Sequence, residues 1–272
     1  MAYDRPYIMA FDADLLTDGQ TYNNLVLQAE NDWDFYARRM TGLQNVAAKI
    51  MLRDDQQRMR FQAPVNTPKD WIHIPQIETM RAGNIGFDLH TVAKASNVYV
   101  TPNSIPNYYS QLIWQGLRRF DQGAELVTPY RSYDYPQTLR HQMTIDYAGR
   151  VAPAYTAPEN PRFFVKSVET FDFVMLGMNI TIQTATDVAP VQASGKVKLL
   201  VQDASRLQMS NVPIVDQYLS IGNQDYKSVF PVPGVLYPTQ SQIGVWVTSL
   251  LVEAEVPATL TIDYVGYYRR PC

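Results

Sequence analysis

The sequence predicts a mainly β protein made of two antiparallel β-sandwiches in tandem, with one inserted or connecting helix. Three observations carry that expectation. Short alternating segments recur along the chain between clusters of Pro, Gly, Asn and Ser. Tyr and Pro number 18 each in 272 residues, while Ala-rich and Lys-rich helical stretches are scarce, a balance that leans towards sheet. Finally, motifs of the first half return in the same order in the second.

In chain order, "YNNLVLQA" (22–29), "DFYARRM" (34–40), "AAKIMLRD" (47–54), "IGFDLHTV" (85–92) and "NVYVT" (97–101) read as strands of a first domain. "NYYSQLIWQGLRRF" (107–120) then sets Tyr109, Leu112, Ile113, Gly116, Leu117 and Phe120 at helical spacing. Asn107 is placed to cap it, and Arg118 and Arg119 lie near its negative end, so the pattern predicts a helix packing on a sheet. From 128 to 161 the text is rich in Pro, Tyr, Arg and Ala and reads as a connection, with one strand candidate inside it, "HQMTIDYAG" (141–149). "RFFVKSV" (162–168), "VMLGMNITIQ" (174–183), "KVKLLVQ" (196–202), "GVWVTSLL" (244–251) and "ATLTIDY" (258–264) follow as strands. In the last, Leu260, Ile262 and Tyr264 alternate with Thr259, Thr261 and Asp263. The domains expected are 1–155, carrying the helix, and 156–272.

Trp33, Asp34, Phe35 and Met40 match Phe171, Asp172, Phe173 and Met178 at an offset of 138. "KIMLRD" from Lys49 matches "KLLVQD" from Lys198 at 149, and "IPQIETMRAGNIGFDLHT" from Ile74 matches "VPGVLYPTQSQIGVWVTS" from Val232 at 158. "TIDYAG" (144–149) recurs as "TIDYVG" (261–266), which places the helix segment as extra length in the first copy; pairing "NVYVT" with "ATLTI" instead places it after that copy. Two domains of ordinary size result.

Charge and composition argue against several function classes. A net charge of −3 with interspersed signs gives no field for nucleic acid as principal ligand. No apolar run is long enough to span a bilayer, and the N-terminal segment lacks a basic region followed by an apolar one. The lone cysteine, Cys272, forms no intrachain disulfide. "FDADLLTDG" (11–19) has the acids of a calcium loop, but Leu16 and Asn23 stand where an EF-hand needs ligands. His73, His90 and His141 are scattered, and there is no phosphate-cradling glycine loop or nucleophile elbow. No catalytic residue, metal ligand or cofactor is therefore expected, although paired carboxylates distant in sequence would leave no local mark.

Tyrosines beside arginines fit protein interfaces, where both are enriched. The candidate interface residues are Arg38, Arg39, Tyr108, Tyr109, Tyr130, Tyr133, Tyr267, Tyr268 and Arg269. Exposed aromatics also fit a carbohydrate-binding or glycan-processing sandwich, which is the alternative reading.

The second half, with "VKLLVQD", "LSIGN", "FPVPGVLYPTQSQIGVWVTSL" and a closing "LTIDYVGYYRR", resembles jelly-roll structural proteins of bacterial virus particles. The first half resembles them through "AENDWDFYARRMTG" and "IPQIETMRAGNIGFDL", and two such domains in one chain look like double jelly-roll capsid proteins. The resemblance rests on strand patterns and covers most of the chain. It implies a non-enzymatic capsid or capsid-associated protein, in the virion and assembled in the host cytoplasm, whose partners are identical copies in a homo-oligomer and other virion proteins.

Overall fold

The computed structural model describes residues 3–12, 21–28, 34–42, 48–53, 59–65, 72–73, 84–91, 111–120, 135–149, 161–192, 194–221 and 234–269; in the first half, side chains are described at 7–11, 39–40 and 113–116. The chain is mainly β and divides into two units, Met1–Glu125 and Leu126–Cys272.

The strands of the first unit are β1 (Tyr3–Asp12), β2 (Thr21–Gln28), β3 (Asp34–Gly42), β4 (Ala48–Arg53), β5 (Met59–Val65), β6 (Ile72–His73), β7 (Asn84–Thr91) and β8 (Gln111–Phe120). They form antiparallel sheets in the orders β1-β8-β3-β6 and β2-β7-β4-β5. The second unit has β9 (Tyr135–Ile145), β10 (Arg162–Ser167), β11 (Asp172–Gln183), β12 (Val191–Gln192), β13 (Val197–Gln202), β14 (Ile214–Val215), a one-turn helix α1 (Asp216–Leu219), β15 (Val235–Tyr237), β16 (Gln242–Ser249) and β17 (Ala258–Arg269). Its sheets run β12-β11-β17-β9, with β15 also on β11, and β10-β16-β13-β14.

Apart from β12, the second unit repeats the pairing of the first. The pairs β1 with β8, β2 with β7, β3 with β6 and β4 with β5 return as β9 with β17, β10 with β16, β11 with β15 and β13 with β14. Each unit is thus a long antiparallel ribbon whose halves pair from the ends inward. The ribbon is folded so that β3 also meets β8 and β4 meets β7, repeated as β11 with β17 and β13 with β16.

Register makes the correspondence residue by residue. Asp34 faces Arg119 and Asp172 faces Arg269, which carries the offset of 138 from β3 to β11. Ala48 faces Thr91 and Val197 faces Ser249, which reproduces the offsets of 149 and 158.

Two expectations are corrected. Residues 111–120 are strand β8, not a helix. β8 is paired on one side with β1 and on the other with β3, and its consecutive residues Ile113 and Trp114 are both fully buried. A strand covered on both faces loses its alternation, and its apolar run then mimics a helical stripe. The residues 107–110 lie outside those described. Second, "TIDYAG" and "TIDYVG" are not equivalent strands of two domains. The first begins on the last two residues of β9 and the second lies in β17, neighbours in one sheet with Thr144 opposite Thr259, so β9 belongs to the unit that begins at Leu126 rather than to a first domain ending at 155. The alternative partner "NVYVT" lies outside the described residues.

The core of the second unit follows from alternation. Leu260, Ile262 and Tyr264 of β17 are fully buried, as are Ile243, Val245 and Val247 of β16 and Val197 and Leu199 of β13. Each such aliphatic side chain contributes about 1.5–3 kcal/mol on burial. The two sheets are also tied by the hydroxyl of Tyr237 on β15, which donates to the carbonyl of Gln202 on β13 at 2.7 Å, giving a sandwich-like unit. No helix among the described residues is long and apolar enough to cross a membrane.

Candidate functional site

The expected interface residues meet different fates. Arg38 lies in β3 at a register step, between Ala37 opposite Gly116 and Arg39 opposite Gln115. Arg39 is half-buried and its Nε donates to the side-chain oxygen of Gln115; burial lowers its pKa. Tyr267 is 2% exposed and Arg269 9%, so the fold of the second unit takes both out of the exposed set. Arg269 lies 6.0 Å over the Tyr267 ring, and Tyr268 packs edge-on against Phe171 and Phe173. Tyr108, Tyr109, Tyr130 and Tyr133 lie outside the described residues.

Of the histidines, His73 is in β6, His90 in β7 and His141 in β9. His141 Nδ1 lies 3.3 Å from the Tyr264 hydroxyl; burial, and then the charge of Lys166, lower its pKa. Asp12 ends β1, and the rest of the acidic "FDADLLTDG" segment lies outside the described residues. Among the described residues, no group of three or more His, Cys, Asp or Glu gathers as a metal site.

A cavity of about 610 Å³ lies on the second unit, assembled from three separate segments. Its wall is the outer face of the β10-β16-β13 sheet. Alternation places Phe163 and Val165 of β10 on that face, and both are unusually exposed for their type, at 44% and 38%. Phe163 is the register partner of Trp246 on β16, and their rings lie 4.8 Å apart, tilted by 40°. Gly244, two residues from Trp246, forms the floor. A Cβ there would come within 2.8 Å of both Phe163 Cζ and Gln202 Oε1, so the absence of a side chain lets the Phe163 ring and the Gln202 amide close over the backbone.

Two turns complete the rim. In the first, Asp203 Oδ1 accepts from the backbone N–H groups of Ser205 at 2.8 Å and Leu207 at 3.0 Å, fixing the loop that carries Arg206. In the second, the Ser241 N–H donates to the Pro238 carbonyl, and Gln240 N–H to the Val168 carbonyl. Asp172 anchors this turn by accepting from both the N–H and the hydroxyl of Thr239, at 2.8 and 3.0 Å. Arg206 and Gln240 have φ of +63° and +69°, and they are the two non-glycine residues with positive φ among those described. Such conformations cost energy for residues with a Cβ and cluster at binding sites.

Chemically the cavity offers an aromatic wall, the amides of Gln202, Gln240 and Gln242, the Arg206 guanidinium and one carboxylate, that of Asp203. Asp203 is already engaged by its own turn, and hydrolysis by paired carboxylates would need a second acid. The cavity's lining supplies no acid–base pair. Sequence reading missed it because the residues come from three distant segments. A signal was present in apolar Phe163 and Trp246 at positions that alternation assigns to the wet face.

No family model matches the chain, and no curated protein does. Among solved structures, the chain is similar to the major capsid protein P2 of bacteriophage PM2, with 7% identity over 98% of this chain and 99% of that one, at a TM-score of 0.27. A likeness at that level fixes neither fold nor function.

Proposed function

We propose that the protein is a structural component of a virus particle, a capsid or capsid-associated protein built from two tandem jelly rolls, which acts by assembly with identical copies and other virion proteins. The observation that carries this reading is the repetition of one strand pairing, in one register, in both units. A ribbon of strands paired from its ends inward and split over two sheets, both four-stranded in the first unit and one of them five-stranded in the second, supports the jelly-roll reading, a fold used in viral capsid domains. Two such rolls in one chain offer neighbouring copies two similar sets of contacts, which suits a closed shell of many identical subunits. No catalytic role is part of the proposal, and its place is the virion, assembled in the host cytoplasm.

The test is the assembly state of the purified full-length chain, by light scattering and negative-stain electron microscopy. Symmetric rings, shells or decoration of capsids are expected. A chain that stays monomeric at every concentration and binds no particle would overturn the proposal.

A further inference from the structure

We propose that the cavity beside Phe163 and Trp246 is a carbohydrate-binding site, in which one pyranose ring lies on the aromatic wall and its hydroxyls are held by Gln202, Gln240 and Gln242. The inference stands on the second unit alone and does not depend on assembly.

Size is the first consideration. About 610 Å³ lies within the range of small-molecule sites and accommodates a sugar unit with part of its neighbour. Second, the wall is aromatic and wet. Phe163 leaves 44% of its surface in solvent, against a hydrophobic cost that a ligand with an apolar C–H face would relieve. Third, the polar groups match hydroxyls. Every sugar hydroxyl both donates and accepts, and a glutamine amide supplies both functions, whereas a carboxylate or ammonium supplies one. The side chains of Gln202, Gln240, Gln242 and Arg206 make no hydrogen bond or ion pair with the described residues. The Ser241 hydroxyl at the same rim is buried with no hydrogen-bond partner among the described residues.

A peptide ligand fits less well. β16, under the cavity, is paired along its length with β10 on one side and β13 on the other, so its backbone is closed to strand addition. Recognition over β16 has to use side chains. The lining carries one cation and one anion, Arg206 and Asp203, and Asp203 is spent on its turn. A neutral sugar is therefore accepted, and Arg206 remains to favour a glycan with an acidic substituent.

The experiment is a glycan array of neutral and acidic mono- to tetrasaccharides probed with the labelled full-length chain, followed by saturation-transfer NMR with the retained sugars. Retention of a restricted set is expected, with Phe163→Ala and Gln240→Ala each weakening binding roughly tenfold at unchanged circular dichroism. Arg206→Ala is expected to weaken acidic glycans selectively. Trp246→Phe, which keeps an aromatic ring, guards against a folding artefact and should retain part of the affinity. No retention at millimolar sugar, or retention indifferent to Phe163→Ala, would overturn the inference, as would burial of Trp246 against another protein copy on assembly. All the variants are expected to assemble like the parent chain, so a failure here and a failure to form particles are separate results.

Discussion

Arg38 and Leu176 occupy the same β-bulge in two different sheets. In the first unit Ala37 faces Gly116 and Arg39 faces Gln115, leaving Arg38 as the extra residue. In the second Met175 faces Gly266 and Gly177 faces Val265, leaving Leu176. A bulge opposes two residues to one and re-aims the extra side chain, and Leu176 is 39% exposed. On this shared backbone the first unit carries an arginine where the second carries a leucine.

The bulge rests on the glycine opposite it. A Cβ at Gly266 would lie 1.9 Å from the Val174 carbonyl oxygen, which is backbone and has no room to move. Gly266→Ala is expected to cost about 3 kcal/mol, because the β11–β17 ladder has to shift. Denaturant unfolding should show a lower midpoint at an unchanged slope. An unchanged midpoint would mean that the ladder tolerates the added carbon.

How much of this was legible in the sequence can be argued from particular residues. The offsets of 138, 149 and 158 were readable because strands that share partners keep their patterns, and the observed registers reproduce all three. The closing strand was mispaired. The counterpart of "VGYYRR" (265–270) is "QGLRRF" (115–120), with Gly116 matching Gly266, but two-sided burial disguised that segment as a helix. "YDRP" (3–6) and "YDYP" (133–136) are a further echo too short to stand out in the sequence: Pro6 faces Leu117 and Pro136 faces Tyr267, the same pairing at offsets of 130 and 150. The cavity was not legible, because no local motif joins Phe163, Arg206, Gln240 and Trp246. Only the folding of the ribbon does.

The unit boundary leads to a fragment experiment. β9 is paired with β17 from Tyr135 to Ile145, and it buries Leu139, Met143 and Ile145. A fragment of residues 126–272 is expected to unfold cooperatively and give dispersed amide resonances. One of residues 156–272 loses β9, leaves the β17 edge open and should aggregate or remain molten. Equal behaviour of the two fragments would show that β9 contributes little to the unit.

Asp172 is the repeated acid of the "FDF" segment, and its contacts assign it to framework. Its carboxylate holds Thr239 through two hydrogen bonds and so fixes the turn that presents Gln240. Asp172→Ala is expected to cost about 1 kcal/mol, the usual value for an exposed capping contact. Faster amide exchange at Thr239 and Ser241, with the β16 amides unaffected, would locate the effect. Uniform acceleration across the unit would argue instead for a global loss.

Asp216 gives the second unit a pH dependence of unusual sign for a carboxylate. It is fully buried in the first turn of α1; its Oδ2 accepts from the Gly195 N–H at 3.2 Å, while Oδ1 has no hydrogen-bond partner among the described residues. Burial pushes its pKa from 3.8 up to about 7, with the Gly195 N–H pulling in the other direction. Between those values the folded chain holds a proton that the unfolded chain has released. The contribution of Asp216 to stability is therefore fully present below about pH 4 and is lost as the pH rises to about 7, where the buried charge has formed. Asp216→Asn removes this titration and leaves the others in place. The variant should gain on the parent by a few kcal/mol across that window, with the gap level on either side, as read from paired denaturant titrations between pH 4 and 8. A gap independent of pH would show that Asp216 titrates alike in the folded and unfolded chains.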